Sequence, residues 1–287
     1  AQTNRAGRES PRHPQTRRTH PMKLARIRTA DGAIQYAELH SDHCRLLAAP
    51  PFPDVRLTDV SVDRDTVRIL APVDPTQIVA IGKNYREHAA ETGSDVPDAP
   101  IVFIKTPNTV VATGDPVILP AMAPHEVDYE CELVIVIGKK TRNITEDDVP
   151  NHVLGYTCGN DVSARDCQLK QDQQWARGKC FDTFAPMGPC IETDLDPDNA
   201  AIRTLLNGEA MQDSNTRDLI FSTRFLVSYV SRCMTLHPGS VIMTGTPPGV
   251  GMARTPPRFL REGDTVTVEI DGIGTLTNPV VRESATR

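Results

Sequence analysis

Apolar and polar positions alternate in short runs along most of this chain, and long helical stripes are scarce. Alternation at a period of two marks half-buried strands, because successive side chains point to opposite faces. Residues 22–72 hold three such runs, over 23–28, 35–39 and 67–70, joined by turns rich in Gly, Pro and Asp. They predict a small β-rich N-terminal region, punctuated at its end by Pro72 and Pro75. A strand over 77–82 then closes on Gly82, and the pattern predicts a short helix over 85–92 with Asn84 as N-cap and Gly93 as stop. The polar run 94–100 reads as a mobile loop with few apolar anchors. Further strands are predicted over 101–105, 117–119, 132–137, 153–160, 202–206, 241–244 and 265–270. Helical signals are confined to 146–149, the neighbourhood of 164–173, and 222–234, where Phe225, Leu226, Tyr229 and Val230 form one core-facing stripe. The balance is a β-dominated α+β fold, divided into a leader (1–21), a small β-rich region (22–75) and a main domain (76–284).

Composition narrows the function classes. The chain has 287 residues, 39% hydrophobic and 24% charged, room for one large domain or a large and a small one. No apolar run approaches the roughly 18–20 residues that span a bilayer. Residues 1–21 carry five arginines against Glu9, a net of +4, so the remaining residues hold −10 of the total −6. An acidic body with one Trp, five Tyr and seven Phe argues against nucleic acid, which needs a basic surface and stacking aromatics. The leader lacks apolar periodicity and reads either as an Arg-rich transit segment or as a non-native extension, with Met22 opening the folded part. The second reading is preferred and implies a cytoplasmic protein; the first implies a mitochondrial one. Seven scattered cysteines without a Cys-x-x-Cys pair fit free, mostly buried thiols in a reducing compartment.

Candidate chemistry begins with Asp128-Tyr-Glu-Cys-Glu-Leu-Val-Ile-Val-Ile-Gly138, whose apolar end reads as a strand. Glu130 and Glu132 are two apart, so they share a face. Carboxylates pressed together either raise one another's pKa or are neutralised by a cation. With Asp161 they form an all-oxygen set suited to a hard divalent ion such as Mg²⁺, with Mn²⁺ or Ca²⁺ as alternatives. The plainer reading is a solvent-facing strand edge with two unrelated glutamates.

Three further features carry potential chemistry. His88 and Glu91 lie three apart on the predicted helix, and a carboxylate beside an imidazole fixes its tautomer and raises its basicity. Lys179, in an aromatic-flanked segment read as a strand, is a candidate for neutralising a substrate oxyanion, or else a surface lysine. The loop Thr244-Gly-Thr-Pro-Pro-Gly-Val-Gly251 offers hydroxyls and backbone N–H groups to a carboxylate, or is an ordinary proline–glycine turn. It lacks the pattern of a nucleotide-binding loop.

Five segments in order resemble the fumarylacetoacetate hydrolase family: Ile81-Gly-Lys-Asn-Tyr-Arg-Glu-His-Ala-Ala-Glu91, the 128–138 stretch, Gly159-Asn-Asp-Val-Ser-Ala-Arg-Asp166, Gly178-Lys-Cys-Phe-Asp-Thr-Phe-Ala-Pro-Met-Gly-Pro189, and Ile242-Met-Thr-Gly-Thr-Pro-Pro-Gly-Val-Gly251. The resemblance covers roughly 76–282 and looks closest to the small, domain-containing branch. It departs at Lys83, where other members carry Arg. The resemblance implies a mixed β-sandwich roll, a divalent metal on Glu130, Glu132 and Asp161, and a His88–Glu91 pair on a lid helix that orders with substrate. It further implies Lys179 at the substrate oxygen, Gln168 at its enolic part, Thr246 at its carboxylate, Arg165 as another substrate contact, and a homodimer. The leading expectation is hydrolysis of the carbon–carbon bond of a 2,4-dioxo acid of acylpyruvate type, through a metal-bound pyruvate enolate. The alternatives are oxaloacetate tautomerisation or decarboxylation, or isomerisation of a 2-oxo-diene-dioate; a non-enzymatic metal scaffold leaves the base, lysine and loop without purpose.

Overall fold

A computed structural model of the chain describes residues 21–284, so the Arg-rich leader, apart from Pro21, lies outside the described residues. Twelve strands join in one mixed sheet. Its path runs Leu57–Asp63, His43–Leu47, Ile34–Leu39, Lys23–Arg28, Ala185–Glu192, Val153–Asn160, Cys131–Ile137, Val241–Met243, Ile78–Gly82, Ile101–Lys105. Along this path neighbours are antiparallel except Val241–Met243 with Ile78–Gly82. A second sheet of five strands is ordered Glu209–Asn215, Ala201–Leu206, Thr265–Ile270, Gly274–Arg282, Val117–Leu119.

The two sheets pack face to face. Cys131, Leu133 and Cys158 of the first share a core with Ile202, Val268, Ile270 and Leu276 of the second. The strand Cys131–Ile137 is buried at all seven positions, as a central strand covered on both faces must be. Its odd positions Ile135 and Ile137 pack on Leu226, Val227 and Val230 of the helix Thr223–Cys233, while Val134 and Val136 face a separate cluster with Ile78, Ala185 and Met243. The N-terminal strands continue the same sheet, Lys23 pairing with Glu192 and Leu24 with Ile191.

Most predicted strands form within a residue of their expected limits, but His43–Leu47, Leu57–Asp63, Ala185–Glu192, Glu209–Asn215 and Gly274–Arg282 escape the pattern. Ala185–Glu192 contains Pro186, Gly188 and Pro189, which locally signal a turn; a register shift opposite Tyr156 and Cys158 accommodates them. On Thr223–Cys233 the buried stripe is Leu226, Val227 and Val230; Phe225 and Tyr229 stay half-buried. They stack instead, Phe221 on Phe225 at 5.4 Å and Phe225 on Tyr229 at 5.9 Å. All seven cysteines are free, and five are buried. Among the described residues no helix is long and apolar enough to cross a membrane.

Candidate active site

Strand pairing assembles the carboxylates. Cys131 pairs with Asn160 and Glu132 with Gly159, so one step further Glu130 comes opposite Asp161. The Asp161 N–H donates to the Glu130 carbonyl at 2.9 Å, and Asn160 Oδ1 accepts from the Glu130 N–H at 2.9 Å. Residues directly opposite share a face, as do residues two apart on one strand, so all three carboxylates point the same way. Glu130, Glu132 and Asp161 are 5%, 1% and 1% exposed, which excludes the solvent-edge reading. Their ligand oxygens lie within 4.8 Å of one another.

Cations are packed into the same cluster. Lys179 Nζ donates to Glu130 Oε2 at 2.8 Å and to Asp161 Oδ2 at 2.6 Å. Lys105, fully buried at the end of Ile101–Lys105, donates to Asp161 Oδ1 at 2.6 Å and to the Val162 carbonyl at 3.2 Å. Arg165 spans Asp128 and Glu130: Nε donates to Asp128 Oδ2 at 3.0 Å and Nη2 lies 2.7 Å from Glu130 Oε1. Glu132 accepts the Gly245 N–H at 2.8 Å but has no cation within ion-pair distance among the described residues.

The titration of these groups follows that arrangement. Burial, with Asp161 and Glu130 adding repulsion, pushes the Glu132 carboxyl well above the usual range. Burial also opposes the charge on Glu130, but Lys179 and Arg165 outweigh it and hold that carboxyl well below. Four buried carboxyl groups (Asp128, Glu130, Glu132, Asp161) thus meet three buried cations (Lys105, Arg165, Lys179), and Glu132 is the one without a cationic partner among the described residues. An all-oxygen donor set with one uncompensated carboxylate fits a hard divalent ion, which Glu130, Glu132 and Asp161 could hold.

Lys179 is not on a strand, as its flanking aromatics had indicated, but ends the short helix Ala176–Lys179. That helix comes close because Gly178 has no Cβ: one built there would meet the Ala164 carbonyl and Gln168 N at 2.8 Å. Asn84 does not cap the next helix either. Arg86–Glu91 is preceded by Tyr85 with no side-chain cap, and Asn84 reaches inward. Its Nδ2 donates to the Thr244 carbonyl at 2.8 Å and the Phe221 carbonyl at 3.1 Å, and its Oδ1 accepts the Phe221 N–H at 2.8 Å.

Nor is the helix loosely held, as its polar flank had implied. Tyr85 and Ala89 are buried, and Glu91 is fixed at both oxygens. Oε1 meets His88 Nδ1 at 2.7 Å, and Oε2 accepts the N–H of Gly249 at 2.8 Å. Gly249 has φ +102°, and a Cβ there would strike the Met211 carbonyl, so only glycine serves. Asn84→Ala would strand the Phe221 N–H and two carbonyls. It is expected to destabilise the fold by about 1–3 kcal/mol in chemical denaturation and to lower turnover by shifting His88.

A cavity of about 140 Å³ joins these parts. Among its lining residues are His88, the three carboxylates, Arg165 and Lys179, and also Gln168 and Thr246; Glu91 alone of the expected site residues stands behind, supporting His88. Gln168 Oε1 accepts from Arg165 Nη1 at 2.9 Å, leaving its amide N–H groups without a partner among the described residues. The Thr246 hydroxyl is committed internally, donating to the Cys131 carbonyl at 2.9 Å and accepting from Gln212 at 2.8 Å. Sequence reasoning missed Lys105, Asp128 and the apolar wall of Phe103 and Trp175, whose rings meet edge-on at 5.5 Å. A charged residue closing the apolar strand 101–105 was the available signal for Lys105. Asp128 accepts the Gly251 and Met252 N–H groups at 2.7 and 3.0 Å, and so ties the glycine loop to Arg165.

Comparison with known proteins agrees with this architecture. A family model described as "Rv2993c-like, N-terminal" matches residues 22–72. The chain is 47% identical over 225 residues to a Xenopus laevis protein named oxaloacetate tautomerase fahd2, mitochondrial, covering 77% of this chain and 70% of that one. A solved 5-carboxymethyl-2-hydroxymuconate delta-isomerase from Mycobacterium smegmatis superposes with TM-score 0.83 at 42% identity, covering 91% of this chain and 100% of that chain. A 2-hydroxyhepta-2,4-diene-1,7-dioate isomerase from Mycobacterium marinum gives TM-score 0.82 at 40% identity, covering 92% and 99%. The family model described as fumarylacetoacetate (FAA) hydrolase C-terminal matches residues 77–281, and the chain belongs to the fumarylacetoacetate hydrolase family.

Proposed function

We propose that this chain catalyses keto–enol tautomerisation of a short 2-oxo dicarboxylic acid of the oxaloacetate type. The observation that carries the reading is the meeting, in one small cavity, of an oriented imidazole with a cluster of buried carboxylates and cations. A volume of about 140 Å³ is close to that of an engineered cavity known to take a benzene ring. That favours a compact acid over a long acyl chain. The relatives' names point the same way: one is named an oxaloacetate tautomerase and two are named isomerases of 2-hydroxy acids, and all three named substrates carry more than one carboxylate. This moves the preference from hydrolysis to proton transfer without carbon–carbon cleavage.

A divalent ion on Glu130, Glu132 and Asp161 would supply Lewis acidity toward the C1 carboxylate and 2-oxo oxygen, making the ketone a better electron sink. Glu91, as a carboxylate, only accepts hydrogen bonds, so His88 Nδ1 carries a proton and Nε2 holds the lone pair. Nε2 takes a proton from C3 of the keto acid and passes it to the 2-oxo oxygen, giving the enol; in the reverse direction it takes the enol O–H proton and returns it to C3. Lys179 uses two N–H groups on Glu130 and Asp161 and has a third for the 2-oxo oxygen, where charge develops. Gln168 offers its free amide N–H groups to the same oxygen, and Thr246 meets the C1 carboxylate through its main-chain N–H, because its hydroxyl is already spent. The test is stopped-flow decay of enol-oxaloacetate with Mg²⁺, beside cleavage of acetopyruvate. A larger kcat/KM for acetopyruvate cleavage would restore the hydrolytic reading.

The half-buried ladder Phe221–Phe225–Tyr229 supports a homodimer in solution. A stable interface of this kind buries more than about 1,200 Å². Light scattering at micromolar concentration is expected to give twice 31.5 kDa, and a 31.5 kDa species alone would refute it. The free cysteines support a reducing compartment, cytoplasmic or, as the vertebrate relative is named, mitochondrial.

A further inference from the structure

We infer that Lys83, with the Ser94 hydroxyl it holds, binds the distal carboxylate of the substrate and makes this site prefer dicarboxylic over monocarboxylic 2-oxo acids. The inference rests on the substrate class proposed above and names the residues that would enforce it. Three lysine and arginine side chains line the cavity: Lys83, Arg165 and Lys179. Arg165 is paired with Asp128 and Glu130, and Lys179 with Glu130 and Asp161. Lys83 has no carboxylate within ion-pair distance among the described residues; Nζ donates to Ser94 Oγ at 2.7 Å, a neutral partner. Half-buried beside a cavity, such an ammonium has two N–H groups left and an incoming anion to gain.

Backbone geometry is a second, independent sign. Lys83 has φ +56°, in the left-handed region that a side chain with a Cβ rarely adopts. It directly follows Gly82, which closes the strand Ile78–Gly82 and is itself packed against Trp175. A glycine or asparagine at 83 would adopt this conformation at lower cost, which fits a lysine kept there for its side chain.

The position also suits the chemistry. Lys83, Thr92 and Ser94 form a polar part of the cavity wall, and none of them bonds to Glu130, Glu132 or Asp161. Ser94 follows the helix that carries His88, with its N–H on the Ala89 carbonyl at 2.9 Å. An acid whose 2-oxo end meets the carboxylate cluster and whose far carboxylate meets Lys83 and Ser94 is held at both ends. Its C3 then lies between them, on the side of His88. An acid ending in a methyl group would leave the Lys83 ammonium desolvated without a counterion.

Calorimetric titration of the Mg²⁺-loaded protein with oxaloacetate and with 2-oxobutyrate tests this, because the two share a four-carbon skeleton and differ only in the distal carboxylate. The parent should bind oxaloacetate more tightly by about 10–100-fold, the worth of a charge-assisted hydrogen bond. Lys83→Met should erase that preference while 2-oxobutyrate and oxalate bind as before, and Lys83→Arg should retain it. Equal weakening of all three ligands in Lys83→Met, an undiminished preference, or Lys83→Arg behaving like Lys83→Met would overturn the inference. Because the readout is binding, an enzyme that fails to tautomerise oxaloacetate yet shows the Lys83-dependent preference would refute the proposed reaction and leave the role of Lys83 standing.

Discussion

Glu132→Gln is expected to abolish Mg²⁺ binding and nearly all turnover while leaving the fold standing. Glu132 is the carboxylate of the cluster that no cation neutralises, so it is the one whose charge a bound ion has most to gain from. The glutamine amide keeps an oxygen for the Gly245 N–H that Glu132 now accepts at 2.8 Å, so the strand and the glycine loop stay joined. Glutamine stays neutral where burial, Asp161 and Glu130 already disfavour a charged carboxyl, so the metal-free fold loses no favourable ion pair. The metal-free variant should therefore melt at or above the parent's temperature. Calorimetry showing unchanged Mg²⁺ affinity would remove Glu132 from the ligand set. A large drop in the metal-free melting temperature would make it a structural residue instead.

His88→Ala is expected to lower oxaloacetate tautomerisation by about 10²–10⁴-fold, the usual worth of a positioned acid–base group. Alanine is a strong helix former, and Glu91 stays tethered to the Gly249 N–H, so the helix Arg86–Glu91 should hold its place. Substrate affinity should change little, because the carboxylate cluster, Lys179 and Lys83 carry the binding. The loss should fall on kcat, with KM nearly constant. Tautomerisation that survived the substitution would dismiss His88 as the base and turn attention to Lys179. Equal losses in tautomerisation and acetopyruvate cleavage would mean that one base serves both reactions.

Much of the site was legible because its residues come in short segments. Glu130 and Glu132 could be paired from strand periodicity alone, and His88 and Glu91 from helix periodicity. Other parts resisted for identifiable reasons. Ala185–Glu192 reads locally as a turn, since two prolines and a glycine outweigh its apolar residues, yet it pairs with strands on both sides. Asn84 sits where an N-cap belongs, but two distant carbonyls and the Phe221 N–H satisfy its amide better than the first turn of a six-residue helix. Lys179 follows an aromatic residue and precedes two others, as a strand residue might, but its short helix is held by the contact of Gly178 with Ala164 and Gln168.

By itself, then, the sequence determined the local terms: a β-rich chain, two acidic residues two positions apart at the start of a buried strand, and an imidazole beside a carboxylate. These depend on the periods of strand and helix, which residues a few positions apart suffice to express. Only the tertiary structure decided which carboxyl is left without a cationic partner. Asp161 reaches Glu130 through a pairing register 31 residues apart, and Lys105 comes to it from a strand 56 residues away. Whether Lys179 and Arg165 neutralise Glu130, and whether Lys83 is left unpaired, depends on distances of a few ångströms between segments that the chain brings together from far apart. Electrostatic energy in a buried site is set by those distances and by the exclusion of water, and neither is written in the local pattern of residues.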